Sequence, residues 1–425
     1  MIFALVYPNW DFSGSVYFGC REPHFPLELA YSGALLEMAG HRAELVDAHS
    51  EGLTLFETKK RVEALNPDFI VITTAPGYLF WRCPQPELKV PMLLFREMEG
   101  IPAKKVGVGP HCSVTPTAAL KKLGADIVVM GEPETVLPEL AAKDLAEISS
   151  LGYVSSTGLK IQGGPRVTDM PTLPPLKWPS SYIDMHRHHH HRFGVRPAGA
   201  GAEVESSRGC PYSCTFCAKK EFRNNYRKRP LPVVLEEIDR LISDGVDYIY
   251  FIDEIFMPDR KLLEALASRR LSFGIQTRID LWKTDMLALL GAAGCVSIEA
   301  GVESVTEEGR ARLNKRCAVS TGELASLLKK ARKSVPFVQA TLLDAHEDGP
   351  EAVDAWRSYL LDAGIWVNKP VPLFPYPGSE EYSRRWGDPD EYAWERAHEH
   401  YLRENHSFSD IQDDRPGPLR ELESI

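Results

Sequence analysis

Cys210, Cys214 and Cys217 fall in the run Ser-Arg-Gly-Cys-Pro-Tyr-Ser-Cys-Thr-Phe-Cys, a C-x3-C-x2-C loop directly after the strand-like Ala202-Glu203-Val204-Glu205-Ser206. Three close thiolates without a fourth point to an iron-sulfur cluster. A [4Fe-4S] cluster normally takes four cysteines, so this loop leaves one iron open to an exogenous chelate. The other reading is a Cys3His zinc site whose histidine comes from the His-rich stretch upstream, although zinc sites usually pair C-x2-C units at a distance.

That strand and loop open an α/β repeat. Helical and strand patterns alternate from Pro232 to Leu373, and six βα units, counted from the strand before the cysteines, predict a partial (β/α)6 barrel with working loops at the strand C-termini. Upstream, strands at Ile2 to Tyr7, Ala43 to Asp47, Phe69 to Thr73, Lys105 to Gly109 and Ile127 to Met130 alternate with helices at Leu27 to Met38, Leu55 to Leu65, Thr115 to Leu123 and from Glu134, with Gly40, Gly124 and Gly131 where helices should stop or turns bend, which predicts a doubly wound, Rossmann-like parallel domain. The expected division is residues 1–150 for that domain, 151–200 for a hairpin and Pro/His-rich linker, 201–380 for the barrel and 381–425 for a helical extension or tail.

The net charge of −10 over 425 residues argues against general nucleic-acid binding. No apolar run reaches the ~18 residues of a transmembrane segment, and the N-terminus lacks a basic leader, so a cytoplasmic protein is expected. Eight cysteines in a chain this long are not a disulfide scaffold.

The cysteine loop, with Gly209 before it and Phe216 beside the last thiolate, resembles the radical S-adenosylmethionine (SAM) superfamily, over about residues 202–382. The resemblance implies SAM chelated at the open iron and cleaved by one electron from a flavodoxin- or ferredoxin-type donor to a 5'-deoxyadenosyl radical. Asp253 and Glu254 match the segment that receives the SAM amino group, a solvated turn being the alternative. Gln276 and Arg278 end the third strand, where the family often places a basic partner for the SAM carboxylate. In Ser297-Ile298-Glu299-Ala300-Gly301-Val302-Glu303-Ser304, alternation puts Glu299, Gly301 and Glu303 on one face. Glu303 is assigned to SAM and Glu299 to the substrate. Tyr376, in a Pro-Gly-Ser turn, is expected to point at the substrate, and Asp344 or His346 marks either a substrate loop or a solvated one.

Turns of the first domain are similar to the cobalamin-binding domain of the cobalamin-dependent branch. They are Thr73-Thr74-Ala75-Pro76-Gly77-Tyr78, Gly107-Val108-Gly109-Pro110-His111 and Val129-Met130-Gly131-Glu132-Pro133-Glu134. Small and hydroxyl residues at strand ends let a corrin approach the backbone. Asp47-Ala48-His49-Ser50-Glu51-Gly52 fits a D-x-H-x-x-G cobalamin pattern but follows the second strand rather than the first. Base-off cobalamin without His49 as ligand is therefore expected, with Asp47 touching the corrin or nucleotide.

The resemblance implies an enzyme methylating an unactivated carbon of a small molecule with two SAM per turnover. One methylates cobalamin and the other makes the radical. A cobalamin-dependent cyclase or ring-rearranging enzyme is an alternative, and a non-catalytic cofactor sensor is another. Aromatic residues of two loops (Trp10, Tyr17, Phe18 with Cys20; Phe80, Trp81) either line the cavity or pack between domains. The His186 to His191 stretch reads as an interdomain loop or a solvated linker. The basic run Lys219, Lys220, Arg223, Arg227, Lys228, Arg229 reads as an anion or donor site or a charged face.

Overall fold

Uninterrupted Val, Ile, Leu and Phe runs make strands that are buried on both faces, and such strands need helices on both sides. The computed structural model describes residues 1–17, 23–77, 81–186, 199–219, 223–344, 348–404 and 416–424. Its first half runs β1 (Ile2–Tyr7), α1 (Leu27–Met38), β2 (Arg42–Asp47), α2 (Leu55–Leu65), β3 (Phe69–Thr73), α3 (Lys89–Glu97), β4 (Lys104–Val108), α4 (Pro110–Val114), α5 (Pro116–Leu123), β5 (Ile127–Val129) and α6 (Leu137–Ala142). The parallel order β2-β1-β3-β4-β5 is doubly wound, as expected. Phe3, Leu5, Val71 and Val106 face one core, and Ala4, Val6, Ile70 and Ile72 the other. The winding reverses between β1 and β3, and the crevice beyond their carboxyl ends is where such sheets bind ligands.

The hairpin β6 (Leu151–Ser155) and β7 (Gly158–Gln162) adds to β5 in antiparallel fashion. Read from sequence with the linker, it is the far edge of the first sheet. α7 (Ser180–Met185) then folds back, stacking Tyr182 on Trp178 at 4.9 Å with Phe25 and His186 against them. The Tyr182 hydroxyl donates to Asp47.

The second half comprises β8 (Ala200–Val204), β9 (Ser207–Arg208), β10 (Arg227–Lys228), α8 (Leu231–Ser243), β11 (Val246–Phe251), α9 (Arg260–Ala267), β12 (Ser272–Thr277), α10 (Thr284–Ala292), β13 (Cys295–Glu303), α11 (Glu307–Arg312), α12 (Thr321–Ser334), β14 (Phe337–Asp344), α13 (Pro350–Leu361), β15 (Trp366–Val367) and β16 (Val371–Pro372). The main sheet is parallel in chain order, β8-β11-β12-β13-β14-β15, with β16 also on β14. Right-handed crossovers in one direction put every helix on one side and leave the other face of the sheet open to other uses. β14 accordingly alternates partly exposed Phe337, Gln339 and Thr341 with buried Val338, Ala340 and Leu342.

One hydrophobic cluster joins the two halves, from Phe3, Leu5 and Tyr7 through Trp178 and Tyr182 to Ile249, Ile275 and Ile298. The chain returns through α14 (Glu380–Trp386), α15 (Ala393–Glu404) and α16 (Leu419–Leu422) to the first sheet. There Trp394 Nε1 donates to Thr115 Oγ1 at 3.0 Å, and Glu423 accepts from the Leu88 N–H at 2.8 Å. No helix among the described residues is long and apolar enough to cross a membrane.

Candidate active site

The cysteine loop leaves β9 through Gly209, whose φ of +81° suits glycine. A Cβ there would lie 2.2 Å from the Asn225 carbonyl. The loop is fastened on several sides. Glu254 accepts from the Gly209 N–H at 2.7 Å, the Thr215 N–H donates to the Leu313 carbonyl at 3.0 Å, and Thr215 Oγ1 donates to Glu381 at 2.8 Å. Among the described residues no three His, Cys, Asp or Glu side chains converge to hold a single metal ion. The three thiols lie together in one loop of eight residues, Cys210 to Cys217. They are near enough to interact: burial pushes Cys217 up to about 12, Arg82 opposes this, and Cys210 and Cys214 add to it.

Around the loop stand groups that sequence pointed to and others that it missed. Arg278 lies over the Tyr212 ring at 3.9 Å and pairs with Asp280 at 2.7 Å. Glu303, with φ of +69°, pairs with Lys315 at 3.1 Å, and both act on Cys214. Lys315, in the short turn after α11, carried no sequence signal. Asp253 and Glu254 are neither solvated nor free: Asp253 accepts from the Ser206 N–H (2.8 Å) and hydroxyl (2.6 Å) and from the Ser207 hydroxyl. Burial pushes Asp253 up to about 6, against those hydrogen bonds.

Register defines the face opposite the helices. Gln276 pairs with Glu299 and Glu299 with Gln339, while Tyr250, Gly274 and Ser297 align one step back. Parallel neighbours in register share a face. This polar row is met from the first domain by His24, whose Nδ1 lies 2.7 Å from Glu203, and by Arg82, which donates to the Glu254 carbonyl at 2.9 Å. Tyr376 packs with Phe374 and Tyr401 in a cluster that also holds Ala218, the residue after Cys217. An open groove of about 640 Å³ along α8, lined by Leu176, Trp178 and Asp239, contains none of these residues, so chemistry rather than size locates the site.

At the carboxyl edge of the first sheet, Gly109 has φ of +125° and a Cβ there would sit 2.5 Å from Thr74 Oγ1. Thr73 Oγ1 donates to the Ala75 carbonyl at 2.9 Å. Pro110 starts α4 and places His111 under Trp394, with ring centroids 4.4 Å apart. His111 Nε2 lies 3.0 Å from the Gln85 carbonyl, and burial pushes the imidazole down to about 3, which keeps it neutral. Thr74 Oγ1, Gln85 Oε1 and both Glu28 oxygens are buried without a hydrogen-bond partner. Buried polar atoms of this kind need partners. Carboxamides, which ring a corrin, can both donate and accept. Asp47 accepts from the His49 and Ser50 N–H groups at 3.1 and 3.0 Å as well as from Tyr182, and His49 Nδ1 accepts from the Trp10 N–H at 3.2 Å. Gly77 has φ of +42°. Tyr78, Phe18, Cys20, Phe80, Lys220, His346 and the stretch from Arg187 to His191 lie outside the described residues.

Glu132 and Glu134, beyond the Gly131 turn, are fully buried against Arg208 at 2.8 and 2.7 Å, and Arg227 adds 2.6 Å to Glu132. Arg223 and Arg229 are buried in ion pairs as well. The basic run is therefore chiefly neither a charged face nor an open anion site. Removing one partner from such a buried pair costs about 3–5 kcal/mol.

Residues 204–351 match the family described as the radical SAM superfamily. Over 355 residues the chain is 26% identical to the anaerobic magnesium-protoporphyrin IX monomethyl ester cyclase of Cereibacter sphaeroides, covering 78% of this chain and 55% of that protein. Over 379 residues it is 27% identical to the hopanoid C-3 methylase of Methylococcus capsulatus, covering 84% and 68%. The chain thus spans between about half and two thirds of these two relatives. The structure of the radical SAM methyltransferase TsrM from Kitasatospora setae, with cobalamin and a [4Fe-4S] cluster bound, superposes with a TM-score of 0.68 at 19% identity, over 90% of this chain and 75% of that one. The chain carries a domain of the radical SAM superfamily, set in a fold that it shares with TsrM.

Proposed function

We propose that the protein is a cobalamin-dependent radical SAM enzyme that methylates an unactivated carbon of a small molecule. The observation that carries this reading is a three-thiol loop beside an inner polar row, together with buried polar atoms left without partners at the carboxyl edge of the first sheet. Cys210, Cys214 and Cys217 would hold a [4Fe-4S] cluster which, once reduced by a flavodoxin- or ferredoxin-type donor, would supply the electron that cleaves the sulfonium of SAM to methionine and a 5'-deoxyadenosyl radical. Glu303 with Lys315 and Arg278 flank SAM, and Gln276 and Glu299 orient the substrate. Thr73, Thr74, Gly77, Gly109 and the neutral His111 hold cobalamin, with Glu28 and Gln85 receiving its carboxamides. Two SAM are consumed per turnover.

The test is the full chain assembled anaerobically with cobalamin, assayed for metals and for SAM products under strong reductant. About four irons and about one cobalt per chain are expected, with S-adenosylhomocysteine and 5'-deoxyadenosine formed together. The cyclase relatives favour a second reading: 5'-deoxyadenosine alone, with cobalt present, selects ring chemistry without methyl transfer. Iron without cobalt removes the cobalamin part.

A further inference from the structure

The buried ion pairs between the halves form one connected network. Arg208 forks onto Glu205 (3.0 and 2.7 Å) and reaches Glu132 and Glu134 with Nη1. Arg223 joins Glu205 to Glu254, and Glu254 holds the Gly209 N–H. Thr168 donates to both first-domain acids, by its N–H to Glu132 (2.8 Å) and its hydroxyl to Glu134 (3.0 Å). The side chains of Arg208, Glu132, Glu134 and Glu205 have no solvent exposure. The network runs from the turn after β5 to the Gly209 N–H, the backbone group next to Cys210 at the entry to the cysteine loop.

We propose that Arg208 and Glu134 are positioning residues that fix the cysteine loop relative to the ligand edge of the first domain. A planar fork can hold three carboxylates at set angles, which a lysine ammonium does not. In so dry a setting each charge also acts on the loop with little screening. The inference rests on the cluster-binding reading above.

The test compares anaerobically reconstituted full-length variants. Glu134→Gln is expected to retain its iron. The loss of one buried negative charge shifts the cluster's reduction midpoint upward, and the electron paramagnetic resonance line shape of the reduced, SAM-bound cluster changes. Glu44→Gln, in an exposed pair with Arg42 on the same domain, is expected to change neither. Should Glu134→Gln not fold, Thr168→Val removes one donor to Glu134 and keeps every charge, and a smaller line-shape change is expected. Iron retained with midpoint and line shape unaltered in the variants that fold overturns the positioning role and leaves the cluster reading standing. A wild-type chain that takes up no cluster overturns both.

Discussion

Every residue of β3, from Phe69 to Thr73, is buried, whereas β13 alternates: Ile298, Ala300 and Val302 are buried, and Glu299, Gly301 and Glu303 are partly open. Both strands are central and parallel. The difference lies in winding. A sheet whose order reverses is covered on both faces and can offer a ligand only its edge. A sheet wound in one direction keeps its helices on one side, and its other face becomes a lining. The first sheet can therefore hold a bulky group with loop backbone and small residues, while the second brings side chains to bear along a whole strand.

Removing the anchor of the second sheet is the harshest way to break this contrast. Cys214→Ala is expected to abolish SAM cleavage and lower iron content while leaving cobalt uptake at the first sheet intact, as metal analysis would show. Next come two adjacent residues of β13. Ile298→Ala should cost about 2–5 kcal/mol in denaturant unfolding, because it empties a packed position. Glu299→Gln should leave stability nearly unchanged and depress turnover. Equal losses in both would mean that β13 has no lining face.

The first sheet is sharpened by pH. Burial, before any other cause, raises Glu28 to about 8 from an ordinary 4.5. The folded state thus binds a proton that the unfolded chain releases, so stability is full below about pH 4.5 and falls as pH rises toward about 8. Thermal melts of Glu28→Gln should lose that part of the slope and gain on the wild type above neutrality. A wild-type slope retained in the variant assigns it to another group. The smallest effect is expected on the back of the sheet. Thr54→Ala breaks the capping box that starts α2, where Thr54 accepts from the Glu57 N–H and Glu57 from the Thr54 N–H, and should cost about 1 kcal/mol without changing cofactor content.

Elements whose signal is local were legible. β1, α1 and α2 occupy the residues that periodicity and caps indicated. α3 was missed because Pro91 lies in its first turn, where proline is tolerated, and reads as a breaker in sequence. The cysteine loop was legible because its three thiols sit within eight residues of one another. The fate of Arg208, Arg223 and Arg227 was not. Glu132 lies 76 residues from Arg208 and 95 from Arg227, and no local spacing encodes such a partnership. Tyr376 was read for its motif alone, and part of its surroundings comes from α15, about 20 residues further along the chain.

The cluster that runs unbroken from Phe3 to Ile298 makes the join between the sheets an interior. Chimeras that exchange one half for that of a relative would have to match a three-dimensional surface of apolar side chains as well as the ion pairs across it. Diversification in such a scaffold is then channelled into the lining residues and the rim loops, which can change without reopening the seam.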